Sequence, residues 1–274
     1  MKLFNPDSTH WYRRDGEPLH SVPSAKGTLQ SATMRPTTLR DARKLGLLPS
    51  VTNVLGVINK PELVEWKMTQ AVLAALTLPR LDGEGEDAFA KRVVEDAQSR
   101  VKTAVDFGSA FHAGAEHVAK TLEVDRAELL SAWLNRYRDW FQENCVRLLW
   151  TEQRVVSNLF GYAGTADLLI DHAVHGLTLV DLKTMKVNPK YKAKPYSTWC
   201  YQLAAYRAAL GVRATCLNLI VNSVAPEAPI EHVWSESEME SGLRAFMAAR
   251  ELWMTENDYN PVTAPPANIL KATP

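Results

Sequence analysis

The chain has 274 residues, with 31 Lys and Arg against 31 Asp and Glu, a formal net charge of zero, 46% hydrophobic residues and 23% charged ones. These are ordinary globular values, and the length allows one large domain or two smaller ones around a buried core. No apolar run reaches the roughly 18 residues that a spanning helix needs, which excludes a membrane span, and a balanced charge gives no support by itself to nucleic-acid binding.

Met1-Lys-Leu-Phe-Asn-Pro-Asp7 leads into charge, so no signal peptide is expected, and Asp7, Asp15 and Glu17 argue against a transit peptide. Residues 1–48 have little periodicity and read as an irregular arm with short elements. They carry eight basic residues (Lys2, Arg13, Arg14, Lys26, Arg35, Arg40, Arg43, Lys44) against four acids (Asp7, Asp15, Glu17, Asp41), a local balance of +4. Ser50 or Thr52 caps a short helix through Ile58, and Pro61 opens a helix to about Leu78. After a loop over 79–87, the pattern predicts helices over about 88–104 and 108–120. Asp125 is the expected cap of another over 126–145, whose Leu129, Trp133, Tyr137 and Trp140 form a core stripe. From Leu149 the period turns toward two, predicting strands at 149–157, 160–171, 177–183, 214–222 and 230–234. A helix over 197–210 stops at Gly211, and the last covers about 236–255. Residues 183–194 hold five lysines and no acid, balanced by acidic stretches at 82–96 and 227–258; neutral totals with basic strips suit a DNA groove as well as plain solvated surface. Cys145, Cys200 and Cys216 are odd in number and widely spaced, which favours a reducing cytoplasm over a zinc or disulfide framework. There is no internal repeat and no P-loop.

One segment carries chemistry. In Gly164-Thr-Ala-Asp167 and Leu179-Val-Asp181-Leu-Lys183, acids interrupt two apolar runs joined by the turn His172-Ala-Val-His-Gly176. On a strand, Asp181 and Lys183 share a face while Leu182 turns into the core. Two carboxylates at one edge of a sheet can hold a hard divalent cation, and the lysine can orient a water for attack on phosphorus. Glu65-Trp-Lys67 repeats the string on a predicted helix, where residues two apart do not face each other. Gly164 leaves room for a phosphodiester backbone to approach, although a glycine there is often only a bend. Gln202 and Tyr206 lie one helical turn apart. His112 and Glu116 share a helical face among Gly108, Ser109, Ala110, Ala113, Gly114 and Ala115, whose small size allows close packing on a sheet.

Taken together, His112/Glu116, Gly164-x-x-Asp167, Asp181-x-Lys183 and Gln202-x-x-x-Tyr206 resemble the PD-(D/E)XK nuclease superfamily, in its RecB-like stand-alone exonuclease branch. Pro49-Ser-Val-Thr52 and Lys60-Pro61-x-Leu63-x-x-Trp66 look like phage-type exonucleases and the mitochondrial genome-maintenance exonuclease. The likeness covers roughly residues 49–210. It implies an α/β fold with a central mixed β-sheet flanked by helices, a restriction-endonuclease-like core, and an N-terminal helical region. The expected division is an arm over 1–48, a helical region over 49–148 that arches over the site, a nuclease core over 149–260 and a Pro-rich tail over 261–274.

The resemblance further implies Mg²⁺ or Mn²⁺ bound by His112, Asp167, Asp181 and the Leu182 carbonyl, with Lys183 positioning water. Glu116 and Gln202 would support, and Glu152 is a lesser candidate for support or DNA contact. Three scattered cysteines cannot supply the four-cysteine iron–sulfur cluster of some relatives, so none is expected. Gly164, Thr184, Lys186, Lys190, Lys192, Trp199 and Tyr206 complete the candidate supporting or DNA-binding residues, with Tyr191 and Tyr196 beside them for base stacking. The implied activity is metal-dependent exonucleolytic cleavage of DNA in recombination, repair or phage DNA processing, alongside a recombinase or single-strand-binding protein. An endonuclease or junction resolvase would use the same residues, and a non-catalytic DNA-binding scaffold is the reading from another class.

Overall fold

The computed structural model describes residues 10–24, 33–125, 129–188, 190 and 193–263. Near the N-terminus, β1 (Trp11–Tyr12) pairs with β4 (Leu48–Pro49), and β2 (Ser21–Pro23) pairs with β3 (Met34–Pro36). Between them, α1 (Leu39–Leu45) starts at a Thr38–Asp41 capping box and stops at Gly46 in the left-handed region. Although short, these elements are anchored: Trp11, Tyr12, Leu47 and Leu48 are buried, and Trp11 packs against Trp253 and Tyr259.

Ser50 accepts from Asn53 N–H to cap α2 (Val51–Val54), which continues as a 3₁₀ turn over Leu55–Val57. Next, α3 (Pro61–Thr77) opens on its proline and folds back onto α4 (Glu86–Thr121) over a small core of Ala74, Val93 and Ala97. The sequence reading had two helices here, over 88–104 and 108–120, and this is corrected: α4 is continuous. Gly108 does not break it, because a helix interior tolerates one glycine, and its missing Cβ is where Thr184 Oγ1 lies 3.1 Å away. The following α5 (Ser131–Asn144) begins five residues later than the expected 126, with Leu130 rather than Asp125 at its cap position.

The sheet comprises β5 (Cys145–Ser157), β6 (Tyr162–His172), β7 (Gly176–Met185), β8 (Thr215–Asn222) and β9 (Ile230–Trp234) in that spatial order. All neighbours are antiparallel except β7 and β8, whose parallel pairing is bridged by α6 (Ser197–Leu210). The chain closes with α7 (Glu236–Glu256), begun by a Ser235–Glu238 capping box. Period-two alternation buries both faces of the sheet. Leu168, Ile170, Val180, Leu182, Leu217, Leu219 and Val221 pack with Phe111, Val118, Tyr137 and Phe141 of α4 and α5. On the other face, Leu169, Leu179 and Cys216 pack with Leu203 and Ala204 of α6 and Phe246 and Trp253 of α7. The fold is thus α/β, a mixed five-stranded sheet between two helical layers. None of the described helices is long and apolar enough to cross a membrane.

Candidate active site

The site begins where the sheet stops pairing. The β6–β7 ladder runs from His172↔Gly176 to Leu168↔Val180 and ends there. At the next position the Asp167 carboxylate takes over: its Oδ2 accepts from Leu182 N–H at 2.7 Å. A carboxylate thereby replaces a ladder carbonyl and is held in the fork between the strands, with its side chain only 12% exposed.

Two elements, α4 and β5, bring further groups to this fork. His112, on the segment of α4 that packs over the sheet, places Nδ1 3.7 Å from Asp167 Oδ2. Gly108 permits α4 to come this close to the sheet, since a Cβ there would lie 3.1 Å from Thr184 Oγ1 of β7, while Gly114 lets α4 pack against Leu134 of α5. From β5, Glu152 lies across from Asp167, between the Thr151↔Leu168 and Gln153↔Ala166 pairs. Potential ligand atoms of His112, Glu152 and Asp167 all lie within 4.8 Å of one another. Glu152 has φ of +49°, a left-handed conformation inside a strand that costs a non-glycine residue about 1–2 kcal/mol. Burial, followed by the nearby Asp167 and Glu116 carboxylates, pushes its carboxyl up to about 7. Three acids crowded this way favour one proton among them, or a cation between them.

Asp181 and Lys183 share a face of β7 as alternation requires, and Leu182 is buried among α4 and α5 residues. Lys183 Nζ reaches Asp181 Oδ2 at 2.7 Å and donates to Gln202 Oε1 at 3.1 Å. Gln202 Nε2 donates in turn to Tyr206 Oη at 3.2 Å. The Asp181 side chain is 2% exposed; burial raises its carboxyl pKa, and Lys183 beside it pulls the other way. Its Oδ1 is buried without any hydrogen-bond partner. A buried, partnerless carboxylate oxygen beside a cluster of two more acids and an imidazole fits a divalent cation, since leaving it empty is costly. His112, Glu152, Asp167 and Asp181 are the residues present for that role.

Other expected residues fall around this centre. Gly164 has a different use from the one expected. An added Cβ would meet Tyr206 Cε1 at 2.6 Å, so the space is filled by the Tyr206 ring and none is left there for a phosphodiester. Glu116 pairs with Lys120 one turn on, near enough to act on Glu152. Thr184 packs at Gly108, and Lys186 and Lys190 are exposed beyond the end of β7. Trp199 lies under Lys183, whose Nζ is 6.0 Å from its ring centroid, and stands edge-on to Tyr196 at 5.0 Å. Lys192 and Tyr191 lie outside the described residues.

Two contributors went unread in the sequence, Asn218 on β8 and Trp234 on β9. Asn218 Nδ2 donates to Asp181 Oδ2 at 2.6 Å, and Trp234 Nε1 donates to Asn218 Oδ1 at 2.7 Å. Asn218 did carry a signal: it interrupts the apolar run Cys216-Leu-Asn-Leu-Ile220, as Asp167 and Asp181 interrupt theirs.

Residues 88–219, the span holding α4 and most of the sheet, match the family model of the PD-(D/E)XK nuclease superfamily. No curated protein matches the chain. Among solved structures, a protein of Eubacterium rectale described as a "Putative exonuclease" is 12% identical, with 90% of this chain and 91% of that one covered at a TM-score of 0.46. The structure of SSO0001 is also 12% identical, covering 68% and 86% at a TM-score of 0.29. At these scores neither likeness bears on function. The match to the PD-(D/E)XK nuclease superfamily model thus covers the residues that build the fork.

Proposed function

We propose that the protein is a Mg²⁺- or Mn²⁺-dependent deoxyribonuclease that hydrolyses phosphodiester bonds at DNA ends. The observation that carries this reading is the buried, partnerless Oδ1 of Asp181 beside the His112–Glu152–Asp167 cluster. His112, Asp167 and Asp181 would hold the cation, with Glu152 as a further side-chain ligand and the Leu182 carbonyl as a further oxygen. When bound, the metal would neutralise phosphate charge and lower the pKa of the attacking water.

The chain's own groups do the rest. Lys183, fixed between Asp181 and Gln202, aims its ammonium at the water and the phosphate oxygens. Gln202 keeps that lysine in place and is itself held by Tyr206. Tyr196 and Trp199 offer ring faces beside Lys183 for unstacked bases, and Lys186, Lys190 and Lys194 on the following segment offer charge to phosphates. Such surfaces suit a single strand or a frayed end, the ground for exonucleolytic use; the setting we propose for it is recombination, repair or phage DNA processing, beside a recombinase or single-strand-binding protein.

The test is digestion of end-labelled linear DNA against covalently closed circles, with Mg²⁺, Mn²⁺ or EDTA. Metal-dependent loss of linear DNA with circles spared is expected. Cutting of circles would replace the exonuclease with an endonuclease or resolvase. Binding without cleavage in either metal would leave the scaffold reading.

A further inference from the structure

Asp181 and Lys183 are each braced by an amide, and each amide is oriented by an aromatic side chain. On one side, lysine has only donors, so Gln202 must turn its Oε1 toward Nζ, which leaves Nε2 for Tyr206. The other side follows the same logic with the sign reversed. Trp234 has only a donor, so the fully buried Asn218 must turn its Oδ1 toward the indole at 2.7 Å. That leaves Nδ2 facing Asp181 Oδ2 at 2.6 Å. A flipped Asn218 would set its oxygen against a carboxylate and its NH₂ against an indole N–H, losing both bonds inside the protein.

The parallel pairing of β7 with β8 puts Asn218 directly opposite Asp181, and the antiparallel pairing of β8 with β9 brings Trp234 within reach. Asp181 Oδ2 consequently takes two donors, Lys183 Nζ at 2.7 Å and Asn218 Nδ2 at 2.6 Å, while Oδ1 takes none.

We propose that Asn218 and Trp234 are positioning residues for the metal centre: together they fix the rotation of the Asp181 carboxylate and decide which of its oxygens is left for the cation. The proposal rests on reading the fork as a divalent-cation site. It gives the strand pair β8–β9, which carries none of the acids of the fork, a specific part in metal binding. Gln202 and Tyr206 tune the lysine, whereas Asn218 and Trp234 tune the ligand.

The experiment is calorimetric titration of Mn²⁺ into the DNA-free protein, paired with cleavage measured across Mn²⁺ concentrations. Asn218→Leu keeps the side-chain size and removes the donor; Trp234→Phe keeps the ring and frees the amide to flip. Orienting groups behind metal ligands contribute roughly 10- to 100-fold in affinity. Asn218→Leu should weaken Mn²⁺ binding within that range and Trp234→Phe by about tenfold, with cleavage recovered at high Mn²⁺. Gln202→Leu should do the opposite, slowing cleavage at saturating Mn²⁺ while binding stays as in the wild type. Where Asn218→Leu does not fold, Trp234→Phe decides. Wild-type affinity in the folded variants, or equal weakening in Gln202→Leu, overturns the relay. Failure of the wild-type protein to bind Mn²⁺ at all overturns the cation site itself, a separate and recognisable result.

Discussion

Among the described residues, two groups of potential metal ligands sit at the same sheet, and they differ in what their lone pairs are doing. At the β6–β7 turn, His172, His175 and Glu231 come as close together as His112, Glu152 and Asp167 do at the fork. At the turn, however, the polar atoms are matched. Val174 N–H donates to His172 Nδ1 at 3.1 Å, which leaves the proton on Nε2, facing Glu231 Oε1 at 3.3 Å. Trp140 Nε1 donates to that same oxygen at 2.6 Å, and His175 pairs with the other at 3.9 Å. A cation entering there would have to displace those bonds. At the fork, acids crowd one another, Glu152 sits in a strained backbone conformation, and one buried oxygen of Asp181 has no partner. Proximity of ligand-type residues is therefore a poor guide; unmet bonding capacity is the better one.

The largest test of this contrast is Asp181→Asn, which keeps shape and removes the charge. Cleavage should fall by on the order of a thousandfold with the fold intact, since a metal-borne charge interaction contributes several kcal/mol. Lys183→Ala should reduce turnover by about 10²–10³, as for loss of one well-placed donor to developing charge. Glu231→Gln probes the other cluster: cleavage should stay within about twofold, while thermal or urea unfolding reports a loss of ~1–2 kcal/mol from the buried network. A Glu231 variant that abolished cleavage, or an Asp181 variant that spared it, would invert the comparison. Gly164→Ala should cost a similar ~1–3 kcal/mol through the Tyr206 ring and also slow turnover, because Tyr206 holds Gln202.

The smallest effect expected is on pH dependence. Glu152 titrates near 7 in the folded protein against an ordinary 4.5, so folding favours its protonated form. Its contribution is complete below the ordinary carboxylate range and is lost as pH rises to about 7 and beyond. Tm of the metal-free protein should drop between about pH 5 and 8, and Glu152→Gln should flatten that drop. Added Mn²⁺ should offset it at the alkaline end.

Much of this was legible in the sequence because strand alternation is local. The order of apolar runs located β6, β7 and α6 closely, and interruption of such runs by Asp167 and Asp181 marked the site. Glu65 and Lys67, the same string on α3, lie on a helix, so element type carried the information. What stayed hidden depended on register. Glu152 meets Asp167 only through the offset of β5 against β6, and its positive φ has no local signature. Asn218 and Trp234 matter only once β7, β8 and β9 are aligned. The break expected between 104 and 108 is absent because α4 runs on through it, and the close approach to Thr184 that Gly108 allows is a long-range contact. Gly164 offered substrate space or a plain bend, and neither reading could foresee that a side chain 42 positions later fills its space.

The central claim is that the fork, and not the turn, is the cation site. Mn²⁺ broadens nearby proton resonances, so the histidine ring signals of the DNA-free protein can be followed by NMR during a substoichiometric titration, with His112, His172 and His175 assigned by substitution. The account predicts that the His112 signals disappear first while those of His172 and His175 persist. Early loss of the His172 and His175 signals with His112 unaffected would contradict it.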